Sequence, residues 1–85
     1  MKLSEKLVFL RKEKNLSQME VAEELGVSRQ AISRWEVGAA VPSTDNLRFL
    51  GKLYDTPVDV LLNDDVNLPV QMDIAISNEK QAPKK

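Results

Sequence analysis

The 85-residue chain carries 12 Lys and Arg against 13 Asp and Glu, a net charge of -1, with 42% hydrophobic residues and only 3 Gly and 4 Pro. That composition fits one small globular domain with a short extension, and it excludes fibrous chains, wholly disordered chains and large enzyme architectures. With neither Cys nor His, the side chains behind most zinc sites, thiol nucleophiles and near-neutral acid–base pairs are absent, so no catalysis, metal or cofactor is expected and a reducing, cytoplasmic setting is the default.

The longest apolar runs, such as Leu7 to Leu10, fall far short of the roughly 20 residues of a membrane helix. No membrane partner is expected. The net charge alone argues against a polyanionic partner, yet it hides an asymmetry. Residues 1–16 hold Lys2, Lys6, Arg11, Lys12 and Lys14 against Glu5 and Glu13, a local charge of 5 − 2 = +3.

Leu3, Leu7 and Leu10 recur at the spacing of one helical face, with Ser4, Lys6, Arg11 and Lys14 placed elsewhere on the wheel, which predicts an amphipathic helix over about 3–14 stopped by Asn15. Phe9 lies off this stripe, either partly exposed or covered by the tail. Ser17-Gln18-Met19-Glu20 is a capping box, so a second helix starts at Gln18, turns Val21, Ala22 and Leu25 inward and ends at Gly26. Ser28 caps a third helix over about 29–36, with Val27 and Ile32 as a hydrophobic staple and Ile32 and Trp35 facing the core. Gly38 to Pro42 is a connector. Ser43 caps a fourth helix reaching about Tyr54, with Leu47, Leu50 and Leu53 inward. Thr56-Pro57-Val58-Asp59 supplies a cap, a proline at the first helical position and an acid near the positive helix end, predicting a short fifth helix that ends near Leu62.

After Asn63 the pattern changes. Val70, Met72, Ile74 and Ile76 alternate with Gln71, Asp73 and Ala75, which suits a strand with one buried face. A lone strand has no partner inside a five-helix domain, so it pairs with another copy, lies against the helices or stays mobile. Residues 66–76 are a candidate dimerisation strand, against a flexible tail with dimerisation through the fourth and fifth helices, and residues 77–85 read as a disordered end. The expected division is a domain over 1–62 and an extension over 63–85.

Counting from Gln18 as one, Ala22 falls at five and Gly26 at nine, while Val21, Leu25, Val27, Ile32 and Trp35 fall at four, eight, ten, fifteen and eighteen. A small residue lets two short helices cross closely, glycine makes the turn, and the apolar positions fix the crossing angle. The stretch from Leu16-Ser17-Gln18 to Trp35-Glu36, with Glu36-Val37-Gly38 closing it and Pro42-Ser43 following, strongly resembles the lambda-repressor and Cro-like helix-turn-helix family, also called the xenobiotic response element family. The resemblance covers about residues 3–62. It implies an all-α fold, a compact five-helix DNA-binding domain, acting as a homodimer on double-stranded DNA with two-fold symmetry.

Carried over by position, the resemblance assigns Gln18 to a phosphate or outer base contact and Ser28, Arg29, Gln30, Ser33 and Arg34 to the groove-facing side of the third helix. The chemistry agrees: Arg suits guanine O6 and N7, and Gln suits adenine N6 and N7. Without the surrounding motif these four polar residues after Ser28 would read as a solvated helix face. Lys14 is expected to add backbone affinity. Arg11 and Glu36 stand where the family has an internal ion pair, against the alternative of two unrelated surface charges. Trp35 reads as core rather than as a base stacker. One departure stands out: the connector Val37-Gly38-Ala39-Ala40-Val41 has no charge, so phosphate contacts there fall to Ser43, Thr44 and backbone N–H groups.

The favoured function is a dimeric, sequence-specific transcription regulator, a repressor that excludes a competitor from an overlapping site. The alternatives are an antitoxin that represses its own operon and binds a toxin through the C-terminal extension, and a protein-interaction module on the same fold. An enzyme ranks last.

Overall fold

The computed structural model of the chain describes residues 1–69. Among them are five α-helices: α1 (Leu3–Glu13), α2 (Gln18–Leu25), α3 (Arg29–Val37), α4 (Thr44–Leu53) and α5 (Val58–Leu62). The all-α expectation holds, with α3 one residue longer than its pattern implied. Residues 66–69 form no strand, and the remainder of the expected strand, 70–76, together with the tail to 85, lies outside the described residues.

Helix starts follow the expected chemistry. The Ser17 hydroxyl accepts from the Glu20 N–H at 3.0 Å, and Glu20 Oε1 accepts from the Ser17 N–H at 2.7 Å. Ser28 and Ser43 cap α3 and α4 in the same manner, accepting from Ala31 and Asn46. Thr56 does not cap α5. Its hydroxyl donates to the Tyr54 carbonyl instead, and Pro57, which has no side-chain acceptor, occupies the cap position.

The first four helices end alike. A residue with left-handed backbone follows each: Asn15 (φ 57), Gly26 (φ 68), Gly38 (φ 80) and Asp55 (φ 51). The next N–H then reaches back five residues, from Leu16 to Arg11, Val27 to Ala22, Ala39 to Arg34 and Thr56 to Gly51. This closure satisfies carbonyls that the helix itself leaves open, and Asn and Asp tolerate the left-handed region better than other side-chain-bearing residues. At Gly51 the demand is steric: an added Cβ would lie 2.8 Å from the Thr56 carbonyl oxygen.

The core is one cluster of Leu7, Val21, Ala22, Ile32, Trp35, Leu50, Tyr54 and Leu61, flanked by Leu3, Leu10, Leu16, Leu25, Val27, Ala31 and Leu53. Helix α3 packs on both α1 and α2, while α4 bridges α2 and α5. Phe9 is half-buried. The sequence reading placed Lys6 among the polar positions of α1; it is instead fully buried, and its ammonium donates to the carbonyls of Val60, Leu61 and Asn63. These are the carbonyls left open at the end of α5, and a cation there also suits the helix dipole. Among the described residues no helix is long and apolar enough to cross a membrane.

Candidate nucleic-acid interface

Helix α3 has two chemically distinct sides. Ile32, Trp35 and Glu36 are buried, whereas Arg29, Gln30 and Arg34 are exposed and Ser33 is half-buried. The turn Gly26-Val27-Ser28 fixes where this helix begins. Val27 anchors it on the core, and Ser28 is itself exposed at the cap. An exposed row of guanidinium, amide and hydroxyl groups on a rigidly seated helix offers donors and acceptors in a fixed frame, as reading base edges requires.

The buried side holds the polar joint of the domain. Arg11 of α1 pairs with Glu36 of α3 in two bonds, Nε to Oε2 at 2.7 Å and Nη2 to Oε1 at 3.1 Å, and Arg11 Nη1 also donates to the Leu16 carbonyl at 2.9 Å. The side chains are 15% and 4% exposed, so this is an internal pair and not two unrelated surface charges. Hydrogen bonding to Glu36 outweighs desolvation and holds Arg11 more firmly protonated than usual. Tyr54 lies close by. Burial, reinforced by the Glu36 charge, pushes its phenol up to about 12.

Gln18, the first residue of α2, joins this pair. Its Nε2 donates to Glu36 Oε1 at 3.0 Å, and its Oε1 accepts from Arg29 Nη1 at 3.1 Å. The family resemblance assigned Gln18 to a phosphate or outer base contact and did not reveal that the amide is held from both ends. The signal available was position alone: Gln18, Arg29 and Glu36 stand at the start of α2 and the start and end of α3.

The remaining expected contacts lie at the margins. Lys14, at the C-cap of α1, pairs with Asp55 at 3.0 Å across an exposed surface, a partner the sequence reading missed. Ser43 and Thr44 are exposed at the start of α4, with the Ser43 oxygen engaged as a cap. Val37 to Val41 are exposed and uncharged. Among the described residues no group of His, Cys, Asp or Glu side chains could hold a metal ion.

Comparison with known proteins agrees with this geometry. Residues 9–61 match the helix-turn-helix family. The chain is 44% identical over 63 residues to the HTH-type transcriptional activator BcrR of Enterococcus faecalis, covering 74% of this chain and 31% of that protein. It is 35% identical over 72 residues to the uncharacterized HTH-type transcriptional regulator YqaE of Bacillus subtilis (strain 168), covering 85% of this chain and 62% of that one. The chain thus spans less than two thirds of the length of either relative. Among solved structures, the P22 c2 repressor in complex with a synthetic operator aligns with a TM-score of 0.71 at 32% identity, covering 74% of this chain and 96% of that one. The DNA-binding domain of the same repressor in solution aligns with a TM-score of 0.71 at 31% identity, covering 79% and 88%. The chain belongs to the helix-turn-helix family, in its lambda-repressor and Cro-like group of transcription regulators.

Proposed function

We propose that this chain is a sequence-specific, DNA-binding regulator of transcription that acts in the cytoplasm, by occupancy and not by catalysis. In this reading it works as a homodimeric repressor on a two-fold symmetric operator. The observation that carries it is the sidedness of α3: Ile32, Trp35 and Glu36 seat the helix, leaving Arg29, Gln30, Ser33 and Arg34 turned outward. The P22 c2 repressor, similar over most of this chain, has been seen on an operator, which supports the same use of this face. Ser28 and Gln18 flank the reading side. Lys14, Ser43, Thr44 and backbone N–H groups at the start of α4 meet the phosphates, where the uncharged connector makes electrostatic affinity modest.

Residues 1–62 are the DNA-binding domain in this proposal, and the extension 63–85 contributes to pairing two copies. Selection of bound sequences from a random DNA pool tests the reading. The expected product has two related half-sites about 34 Å apart, one turn of the duplex. Arg34→Ala and Gln30→Ala should each cost about 1 to 3 kcal/mol of binding and relax one base preference per half-site. A pool in which no sequence is enriched would overturn the proposal. Truncation after Asn63 followed by sedimentation equilibrium tests the extension: a weaker dimer supports its role, and an unchanged dimer constant rejects it.

A further inference from the structure

The basic charge of residues 1–16 is mostly engaged within the domain. Of the five cations there, Lys6 is fully buried on the carbonyls of Val60, Leu61 and Asn63, Arg11 is bound to Glu36, and Lys14 is paired with Asp55. Lys2 and Lys12 remain exposed, and among the described residues neither ammonium forms an ion pair. They stand at opposite ends of α1, Lys2 at its N-cap and Lys12 in its last turn, about 15 Å apart along the axis.

Lys2 lies beside the end of α3. With Ser4 and Asp64 it lines a cleft of about 200 Å³ whose other side is Gly38, Ala40 and Val41 of the connector. The start of α1 meets the connector closely, since a Cβ added to Gly38 would lie 3.6 Å from Ser4 Oγ. The Lys2 backbone is fixed: its N–H donates to Glu5 Oε1 at 2.9 Å, and its carbonyl accepts from the Lys6 N–H at 3.0 Å. Only the stem and the ammonium are left to move. The connector, by contrast, has little to offer an anion. Residues Val37 to Val41 are uncharged, the N–H groups of Gly38, Ala39 and Ala40 donate to the Trp35 and Arg34 carbonyls, and Pro42 has no N–H.

We propose that the Lys2 ammonium binds a backbone phosphate of the operator beside the end of α3, a contact supplied from α1 because the connector cannot make it. The inference rests on the DNA-binding reading above and deepens it. A helix seated in the major groove, about 12 Å wide, has a row of phosphates on either side. On the connector side that row meets no charged connector side chain, and Lys2 is the cation that shares the connector's cleft. Lysine suits this place as a point charge on a long stem, matched to a phosphate and indifferent to the base. It also offsets Asp64, the acid of the same cleft, which by itself would repel the duplex.

The test uses the full chain as wild type, Lys2→Gln and Lys2→Arg, titrated at several salt concentrations against operators recovered by pool selection. Lys2→Gln should weaken all operators by the same factor and leave every base preference intact. Its slope of log affinity against log salt should be shallower by about 0.9, the share of one phosphate contact. Lys2→Arg keeps the charge and should restore the slope. Thermal unfolding of Lys2→Gln at the wild-type temperature separates a lost contact from a lost fold. The position of the contact is read with operators in which one phosphate at a time is replaced by an uncharged methylphosphonate. One such replacement per half-site should weaken the wild type and leave Lys2→Gln unaffected.

An unchanged salt slope in Lys2→Gln, or equal sensitivity of wild type and Lys2→Gln to every methylphosphonate, would overturn the inference and leave the DNA-binding reading standing. Loss of a base preference in Lys2→Gln would overturn it also, by placing the side chain at a base edge. A wild-type protein that enriches no sequence would overturn the functional reading itself, and the Lys2 contact with it.

Discussion

The helix-turn-helix unit and the end of α5 are built on opposite plans. From Ser17 to Gly38 every cap is local: a serine starts each helix, a glycine in the left-handed region ends it, and each closing bond spans five residues. At α5 neither end is capped by its own neighbours. Pro57 offers no side-chain acceptor, and the terminal carbonyls are met by Lys6, more than fifty residues earlier. Local closure runs through the first four helices, α1 and α4 included, and gives way only at α5. The fifth helix is held by long-range contacts, its open carbonyls by Lys6 and its Leu61 by the core.

The largest test of that contrast removes the seat of α3. Trp35→Ala should destabilise the fold by about 3 to 5 kcal/mol, seen as a lost or far lower cooperative thermal transition. Next, Glu36→Ala strands Arg11 inside the domain and should cost about 3 kcal/mol in denaturant titration, whereas replacing both partners by Met should recover much of it. Lys6→Met keeps the stem and removes the donor. It should cost about 1 to 2 kcal/mol, because unsatisfied carbonyls are expensive but those near a helix end can take up water. Amide exchange should then accelerate in α5 more than in α2 or α3, and equal acceleration in all three would erase the contrast.

At neutral pH the effect of Tyr54 ionisation is nil, and it emerges only in alkaline solution. The folded phenol of Tyr54, raised to about 12, stays neutral where an unfolded tyrosine ionises near 10. Stability attributable to this group is full below about pH 10 and is lost as pH rises toward 12, with a slope of at most about 1.4 kcal/mol per pH unit. Tyr54→Phe should flatten that part of the profile in alkaline unfolding curves.

Legibility in the sequence follows the same division. Ser17, Ser28, Ser43, Gly26 and Gly38 announce their caps because the rule is local. The pairing of Arg11 with Glu36 was readable through family position. Asp55 as a left-handed helix end, Tyr54 as core and Lys6 as a buried cap were not, since each depends on what lies across the fold. Lys6 falls close to the stripe of Leu3, Leu7 and Leu10, but charge argued for solvent, and no local pattern tells that α5 ends beside its ammonium. Gln18 was singled out by family position alone, and its bonds to Glu36 and Arg29 were not legible, because they form only when α2 packs on α3.

The burial of the Arg11–Glu36 pair separates two responses to ionic strength. Mobile ions screen exposed charges within about 8 to 10 Å at physiological salt but act much less on a pair set inside the protein. Contacts with phosphates, in contrast, weaken steeply as salt rises because bound counterions are no longer released at a gain. In the DNA-binding reading, added salt therefore loosens the grip of the domain while the attitude of α3 stays the same. Base preference, measured as a ratio between operators, should then persist through concentrations at which overall occupancy has fallen away.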